Sequence, residues 1–328
     1  MKCLVFDFGG SSVKYGIVDD QARLIFTDKL PAPLGSAEAF VQTIKGQYER
    51  YETEVDGIAL SLPGIVDSET GFHHGSGAYS QILKEKNVIE LVSQACGAKT
   101  AVENDGKCGA LSEAWTGALS DVTDGAVLIL GTGVGGGVII DKKIHRGLNF
   151  SAGEFSFTLT KFNGYTITDE AWVNMGIVGM TYKLCKWKNL DLSVQDAGDT
   201  LIKYDKLLKA DYPVHEQSPQ KIKINGKQIF KWIEEGDPDA QRVYEEFLKS
   251  AVMLIHNIQT CFAPAKIIIG GGLSRVERLI PDINMELKQF YAKCCIPDTL
   301  HANLQKSRYL EECNLLGAMY SFMDRYGR

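Results

Sequence analysis

The chain of 328 residues lacks the features that would mark a membrane, secreted or nucleic-acid-binding protein. No apolar run reaches the roughly 18 residues that a membrane-spanning helix needs. The opening residues, MKCLVFDFGG, read directly as a strand and do not have the long apolar stretch of a secretory signal. Lysine and arginine are scattered and the net charge is −6, which argues against a nucleic-acid partner. We therefore expect a cytoplasmic protein without membrane or nucleic-acid partners.

The cysteines also lack the spacing of a metal site or a disulfide framework. The sequence has eight of them and no CxxC pair, so we expect most to be small buried hydrophobic residues in a reducing compartment. The hydrophobic fraction of 45% and the charged fraction of 23% are ordinary for a soluble globular protein. A chain of this length can form two domains.

What the sequence does have is two glycine-rich turns, each directly after an apolar run that predicts a strand. DFGGSSVK, from Asp7 to Lys14, follows CLVF, and GTGVGGGVI, from Gly131 to Ile139, follows AVLIL. Glycine permits a positive φ and lets backbone N–H groups approach a phosphate closely. For either turn alone, closure of a hairpin would be the commoner explanation. Together they predict a polyphosphate held from opposite sides, between two domains.

The strand-and-turn pattern of the first residues begins again at DGAVLILGTGVGGGVIIDKKIHRG, which indicates a duplicated α/β architecture. We place the domain boundary near Leu119 to Asp124. The prediction is a small N-terminal α/β domain of residues 1–118 plus 312–328 and a larger C-terminal domain of residues 119–311. Residues of about 188–223 are polar and irregular, and we expect a surface insertion there. A helix is predicted from Ser36, as N-cap, to Arg50, and another ends at Gly97.

Seven stretches, in a fixed order and covering nearly the whole chain, resemble the ROK family of sugar kinases, a branch of the actin-like, hexokinase-type ATPases. They are DFGGSSVK, SLPGIVD, VENDGKCGALSEAW, LILGTGVGGGVI, RGLNFSAGEFSF, IIIGGGLS and NLLGAMY. The resemblance implies a duplicated ribonuclease H-like α/β fold with an interdomain cleft, and ATP- and Mg²⁺-dependent transfer of phosphate to a small-molecule sugar. A homodimer is implied by the resemblance alone. Some ROK proteins are repressors with a helix-turn-helix before the first phosphate turn. Here that turn begins at Asp7, which favours a kinase.

Two carboxylates are candidates for the chemistry of phosphoryl transfer. In VENDGK, Asp105 follows a predicted strand and precedes a helix, so its side chain should lie at the carboxyl end of the sheet, where α/β proteins bind ligands. The resemblance assigns the matching aspartate as general base. The alternative is an aspartate that caps the following helix. Asp7, beside the first turn, suits Mg²⁺, bound directly or through water.

Three turns are predicted to contact ATP. The residues are Gly9, Gly10, Ser11, Ser12 and Lys14 in the first turn, Gly131, Thr132, Gly133, Gly135 and Gly136 in the second, and Gly270, Gly271, Gly272 and Ser274 in the third, which resembles the adenosine-side turn of the family. Lys14 could meet the phosphates or be solvated on the second strand. Ser274 could also be the N-cap of a helix that follows the strand.

The resemblance also assigns a sugar site, formed by Gly64, Asn104, Asp105, Glu154, Phe157 and Glu170. The alternative for Glu154 and Glu170 is an ordinary surface carboxylate. Phe157 stands where most of the family has a histidine that touches the sugar and binds zinc. Residues 158–169 contain no cysteine or histidine, so we predict no zinc. Phe157 could change or relax sugar specificity, stack on a β-linked disaccharide, or fill the volume that zinc and its ligands would occupy.

The function that we expect is ATP-dependent phosphorylation of a hexose hydroxyl, at the 6-position, with Asp105 as general base. Glucose is the default substrate, and mannose, N-acetylmannosamine and β-glucosides are the alternatives. A hypothesis of a different class is a sugar-binding sensor that keeps the fold and has weak catalysis. The presence of Asp7, Asp105 and both phosphate turns argues for the enzyme.

Overall fold

The computed structural model of the chain describes residues 1–162, 164–206 and 212–327. The strands are β1 (Lys2–Phe8), β2 (Ser12–Asp19), β3 (Leu24–Pro31), β4 (Gly57–Leu62), β5 (Ile65–Val66), β6 (Phe72–Gly75), β7 (Lys86–Asn87), β8 (Thr100–Asn104), β9 (Gly125–Leu130), β10 (Val134–Ile140), β11 (Lys143–His145), β12 (Lys266–Gly270) and β13 (Leu304–Lys306). The helices are α1 (Ala37–Tyr51), α2 (Ser80–Leu83), α3 (Val88–Cys96), α4 (Asp105–Trp115), α5 (Ala171–Met175), α6 (Ile177–Lys188), α7 (Gly198–Asp205), α8 (Gly226–Glu234), α9 (Pro238–Phe262), α10 (Leu279–Cys294) and α11 (Cys313–Tyr326).

Two sheets repeat one topology. The first has the order β3-β2-β1-β4-β8 and the second has the order β11-β10-β9-β12-β13. If the strands of each sheet are numbered 1 to 5 along the chain, both sheets have the same order, 3-2-1-4-5. In the first sheet β1 to β3 form antiparallel hairpins, whereas β4 and β8 run parallel to β1. The small sheet β5-β6-β7 is separate. The predicted duplicated α/β fold is confirmed.

The chain divides into two compact units. The first comprises Met1–Val127, Gly136–Gly153 and Ser307–Arg328, and the second comprises Leu128–Gly135 and Glu154–Lys306. The division therefore falls within β9 and β10, and the segment 136–153 goes with the N-terminal residues. The domain boundaries that the sequence suggested, at 118/119 and 311/312, stay a prediction.

The core of the first unit lies on both faces of its sheet because successive side chains of β1 point to opposite faces. Leu4, Phe6 and Phe8 pack in one hydrophobic cluster, with residues of α1 and α3. Cys3 and Val5 pack in another, with residues of α4 and α11. A strand covered on both faces reads as a continuous apolar run, which is why CLVF was recognisable.

Helix α11 approaches α4 closely at one glycine. A Cβ added to Gly317 would lie 1.9 Å from the carbonyl oxygen of Cys108, so no other residue fits there without moving a helix. This contact brings the last helix of the described chain onto the first sheet. The compact unit that contains the N-terminal residues includes this helix.

The second unit is largely helical around β12 and β13. Helix α9 begins at Pro238, with Asp237 as N-cap, and its buried residues recur every three or four positions, as expected for a helix with one apolar face. The predicted insertion of 188–223 is not irregular throughout, because α7 lies within it and Leu201 of that helix is buried. Residues 207–211 of the insertion lie outside the described residues. In the described part of the chain no helix has the length and apolarity to cross a membrane.

Local signals in the sequence were accurate for the short-range features of the first unit. Ser36 is the N-cap of α1 and accepts a hydrogen bond from the backbone of Ala39. Gly97 ends α3 in the left-handed conformation, with φ of 66°. Both predictions are confirmed, since a cap depends only on residues within one turn.

Candidate functional site

Asp7 lies near the carboxyl end of β1 and is held by two partners. Its Oδ1 accepts hydrogen bonds from the Ser61 hydroxyl at 3.0 Å and from the Asn314 amide at 2.9 Å. Ser61 is its register partner on β4, and Asn314 comes from the first turn of α11. Burial raises the pKa of Asp7, although these hydrogen bonds and the nearby charge of Lys14 act in the opposite direction. Oδ2 accepts no hydrogen bond from the described residues.

The first glycine turn is exposed to solvent and is supported from below by Tyr79. The backbone N–H of Gly9 donates to the carbonyl of Ser12 at 3.0 Å, which closes the turn. The Tyr79 hydroxyl donates to the Gly9 carbonyl at 3.2 Å, and its ring is fully buried beside Phe8 and Phe40. Burial, with the charge of Asp7, raises the pKa of Tyr79 above its usual range, so the hydroxyl stays protonated as a donor.

Lys14 is already engaged by a protein group. Its ammonium donates to the carbonyl oxygen of Glu311 at 2.6 Å and lies 3.8 Å from the carboxylate of the same residue. The two possibilities weighed from the sequence were a phosphate contact and a solvated position. The structure shows a third arrangement, in which Lys14 fixes the chain just before α11.

Asn104 and Asp105 form the turn from β8 into α4. The N-cap of α4 is Asn104, whose Oδ1 accepts from the backbone of Lys107 at 3.0 Å. Asp105 is therefore the first helical residue. The alternative in which Asp105 caps this helix does not hold, because Asn104 is the cap. Its Oδ1 accepts from the Asn104 amide at 3.0 Å and from the backbone of Gly106 at 2.8 Å. Asp105 thus lies directly after β8, at the carboxyl end of the sheet, and its role as general base stays a prediction.

A buried histidine holds the loop that carries Gly64. The Asn104 amide donates to the Gly64 carbonyl at 2.9 Å. His73 is fully buried and accepts at Nδ1 from the backbone of Gly75 at 3.2 Å, so Nε2–H is the donor to the Pro63 carbonyl at 3.1 Å. The bond accepted at Nδ1 requires the neutral ring, and burial lowers the pKa of His73 in agreement with this. The sequence interpretation named Gly64 but missed His73.

The third glycine turn and the second turn up to Gly135 lie together in the second unit. Gly131 and Thr132 present their carbonyl oxygens to the first backbone N–H groups of α6, from Ile177 and Val178. Gly271 has φ of +80° and packs so closely on Leu130 that an added Cβ would lie 2.4 Å from the Leu130 carbonyl oxygen. Leu130 directly precedes the second turn, so the two turns are neighbours. Gly270 ends β12, and Gly133 and Gly135 flank the start of β10.

Ser274 lies in a short 3₁₀ turn, Gly272–Arg275, and donates to the Gly271 carbonyl at 2.8 Å. It does not cap the next helix, because α10 begins only at Leu279 with Arg278 at the cap position. That alternative was wrong. Gly136, the last residue assigned to the second turn, lies in the first unit. Its backbone packs closely on Gly106, since a Cβ added to Gly106 would lie 2.6 Å from the backbone nitrogen of Gly136.

The remaining predicted sugar contacts lie in the second unit, along residues 154–170. Glu154 precedes the 3₁₀ turn Phe155–Phe157, in which Phe155 is buried whereas Phe157 is 48% exposed. Glu170 directly precedes α5, and its Oε2 accepts from the indole N–H of Trp172 at 2.7 Å. Its carboxylate is therefore oriented by a residue in the first turn of that helix.

Asn174 fixes the segment between these two glutamates. Its amide donates to the carbonyls of Thr168 and Glu170, at 2.9 and 3.0 Å. Its Oδ1 accepts from the buried Lys183 ammonium at 3.1 Å, and Lys183 also pairs with Glu246 at 2.9 Å. Burial lowers the pKa of Lys183, and the Glu246 carboxylate opposes that change. The Asn174 amide thus holds the end of this segment, at Thr168 and Glu170.

Groups of three or more histidine, cysteine, aspartate or glutamate residues that could hold a metal ion do not occur among the residues that the structure describes. The absence of zinc stays a prediction.

The first unit therefore gathers its predicted residues at one edge. Asp7, Gly9, Gly64, Asn104 and Asp105 all lie at or just beyond the carboxyl ends of β1, β4 and β8, which run parallel and so end at the same side of the sheet. Sequence interpretation missed their partners Ser61, Tyr79 and Asn314. Asn314 stands in the NLLGAMY stretch, but nothing local in that stretch indicates a contact with β1.

Comparison with known proteins agrees with this architecture. The sequence model of the ROK family matches residues 3–168 and 203–325. A β-glucoside kinase of Listeria innocua is 28% identical over 328 residues, which covers 100% of this chain and 99% of that protein. An N-acetyl-D-glucosamine kinase of Aliivibrio fischeri is 29% identical over 294 residues, covering 86% and 88%. The solved structure of a ROK hexokinase from Thermus thermophilus has the same fold, with a TM-score of 0.74 over 100% of both chains at 19% identity. The resemblance inferred from the sequence is confirmed, and the chain belongs to the ROK family.

Proposed function

We propose that this protein is an ATP-dependent sugar kinase that transfers the γ-phosphoryl group of ATP to a hexose hydroxyl, with Asp105 as general base. The observation that carries the proposal is the placement of Asp105 at the sheet edge that also holds Asp7 and the first glycine turn. Membership of the ROK family, whose curated relatives include sugar kinases, supports the same conclusion.

Asp105 is suited to accept a proton because one of its oxygens is fixed. The two donors to Oδ1, the Asn104 amide and the Gly106 backbone, orient the carboxylate. As the sugar oxygen bonds to the γ-phosphorus, the bond from that phosphorus to the bridging oxygen of ADP breaks and the hydroxyl proton passes to Asp105. Such transfer depends on positioning and on neutralising phosphate charge more than on covalent chemistry.

The nucleotide is proposed to lie on the glycine turns. The first turn, from Gly9 to Ser12, is exposed to solvent, and glycine lets backbone N–H groups approach phosphate oxygens closely. Asp7 fits a magnesium ion, because one of its oxygens is oriented by Ser61 and Asn314 and the other accepts no hydrogen bond from the described residues. Mg²⁺ held by Asp7, directly or through water, would neutralise the charge of the phosphates.

The acceptor is proposed to be the 6-hydroxyl of a glucose-like hexose, bound by Gly64, Asn104, Glu154 and Glu170. A β-glucoside is the second candidate, and Phe157 favours it. This ring is 48% exposed three residues after Glu154, although Phe155 beside it is buried. An exposed aromatic face is suited to packing against a second sugar ring. The β-glucoside kinase of Listeria innocua matches this chain over its whole length.

The test is a coupled assay of ADP release with a panel of glucose, mannose, N-acetylmannosamine, N-acetylglucosamine, cellobiose and an aryl β-glucoside. We expect Asp105→Asn to fold normally and to lose at least ~10²-fold in kcat, the usual scale of general-base catalysis. Asp28→Asn is the matched control, since it makes the same change on an exposed residue of the same sheet.

Near-normal turnover by Asp105→Asn would contradict the assignment of the base. Flat rates for every sugar, with sugar binding still measurable by calorimetry, would favour the sensor over the enzyme. A preference for cellobiose or the aryl glucoside over glucose would select the second candidate substrate.

A further inference from the structure

Glu103 is a buried carboxylate two residues before the proposed base, and the mechanism above does not use it. It lies in β8 with 0% of its surface exposed. Its Oε1 accepts from the backbone N–H of Asn104 at 2.9 Å, and its Oε2 accepts from the Nε–H of Arg146 at 2.9 Å. Each oxygen therefore accepts a hydrogen bond, and both donors belong to segments that carry or lead to predicted sugar contacts.

We propose that the ion pair of Glu103 and Arg146 positions the Asn104–Asp105 turn for catalysis, with Arg146 as a positioning residue. The proposal rests on the sugar kinase function above and on the role of Asp105 in it. Neither residue of the pair is placed in contact with substrate. Their effect on turnover is exerted through the backbone of Asn104.

The position of Glu103 in the sheet explains why it needs a cation. Register pairs Asp7 with Ser61 and Ser61 with Glu103, so the three side chains form one row on the face that α4 and α11 cover. Two carboxylates thus stand in a single buried row. Removing water from a carboxylate is costly unless a partner compensates it. Arg146, with 21% of its side chain exposed, supplies the compensating charge to Glu103.

Arg146 also closes the loop that follows β11. Its carbonyl accepts from the backbone of Ala152 at 3.0 Å, which makes residues 146–152 a closed turn. The chain continues from this loop into Gly153 and Glu154. One ion pair therefore ties the strand end that bears Asp105 to the loop that leads to the predicted sugar ligand Glu154.

Replacing Arg146 by methionine keeps most of the side-chain volume and removes the charge. Glu103 is then a buried charge without its partner, and it must take up a proton or draw in water. Either response shifts the backbone of Asn104. Because a displacement of about 1 Å at a reacting group can cost about 10²-fold in rate, we expect Arg146→Met to lower kcat by ~10- to 100-fold. The KM for ATP should change by less than about twofold, since the first glycine turn has its own supports.

The variants are Arg146→Met, Arg146→Lys, Glu103→Gln and the double variant Glu103→Gln/Arg146→Met, in the full chain. Arg146→Lys keeps the charge and should recover part of kcat. The double variant has no buried charge to compensate, so it should be faster than Arg146→Met. Arg23→Met is the matched control, because Arg23 pairs at 2.7 Å with Asp19, also buried and in the same unit, at the far end of β2. Its kcat should stay normal.

Hydrogen exchange supplies a readout that does not depend on activity. Arg146→Met should speed amide exchange at residues 103–107 and 146–153, and Arg23→Met should not. Equal kcat and equal amide exchange for Arg146→Met and Arg23→Met would overturn the proposal. It would also be overturned if the loss of kcat in Glu103→Gln/Arg146→Met equalled the product of the losses in Glu103→Gln and Arg146→Met. If the wild type phosphorylates no sugar, the proposed function is wrong. If the wild type is active but Arg146→Met does not speed amide exchange at residues 103–107 and 146–153, only the role of the ion pair is wrong.

Discussion

Tyr79 gives the clearest link between a single hydrogen bond and the binding of ATP. Its hydroxyl donates to the Gly9 carbonyl at 3.2 Å from beneath the first glycine turn. Tyr79→Phe removes that oxygen and keeps the ring, which packs at 5.5 Å from Phe8 and 5.9 Å from Phe40. The perturbation is therefore one donor, with no loss of aromatic packing.

The magnitude follows from the environment of the Gly9 carbonyl. A neutral hydrogen bond contributes about 0.5–1.5 kcal/mol net to the free energy of unfolding, and a buried acceptor left without a donor costs more. Gly9 is exposed, so water can replace the lost donor and the cost should be about 1 kcal/mol in the free energy of unfolding. For a domain of 150–250 residues this corresponds to about 2–4 °C in Tm. If the whole effect loosens the turn, the KM for ATP rises by about fivefold, since 1.4 kcal/mol corresponds to tenfold.

The assay is ADP release at saturating sugar with ATP varied, beside thermal denaturation of the same samples. Tyr15→Phe is the control, because Tyr15 is equally buried in this core and donates to Asp28 at 3.3 Å, away from the turn. It should lose a similar amount of stability and keep the KM for ATP. An identical KM for ATP in the two variants would refute the role of Tyr79 in holding the turn.

Three further outcomes follow from the structure. Burial lowers the pKa of His73 in the folded chain, so as the pH falls the unfolded chain takes up a proton first. The free energy of unfolding, measured by urea denaturation, should be full above a pH of about 6.5 and should fall below it by at most ~1.4 kcal/mol per pH unit. His73→Gln should flatten that fall, and an unchanged curve would contradict the neutral ring. Asn174→Ala removes the amide that holds two carbonyls of the 158–170 segment, and hydrogen exchange should become faster there and not at residues 1–100, at a cost of about 1–3 kcal/mol. Gly317→Ala places a Cβ 1.9 Å from a backbone oxygen, so the Tm of this variant should fall by many degrees. Gly35→Ala is the control, because an added Cβ there has nothing within 4 Å, and its Tm should stay unchanged. A normal Tm for Gly317→Ala would mean that α4 and α11 can move apart at little cost.

The features that the sequence could predict are those determined by neighbouring residues. Caps, glycine turns and buried strands each depend on a few consecutive positions, and so Ser36, Gly97 and the strand before Asp7 were identified correctly. The duplicated topology was visible because one local pattern occurs twice. One alternative could not be decided locally, because two residues with capping side chains stand side by side. In the structure Asn104, and not Asp105, is the cap of α4.

The features that the sequence could not predict are contacts between distant positions. Asn314 reaches Asp7 across 307 positions, and Arg146 reaches Glu103 across 43. Nothing beside either residue indicates its partner, because side-chain pairing across a sheet is set by the fold as a whole. Helix α7 was missed for another reason, since a short helix in a polar segment has a weak apolar pattern.

The early strands and the last helix belong to one unit, and this has a consequence for how the protein is made. While a ribosome is still adding residues of the second unit, β1 has been synthesised but α11 has not. The side of the first sheet bearing Cys3 and Val5 then lacks Leu315 and Phe322, which cover it in the finished fold. A nascent chain at that stage is a natural client for chaperones that bind exposed apolar surface. Asp7 gains its amide donor from Asn314 only when translation of that final helix is complete.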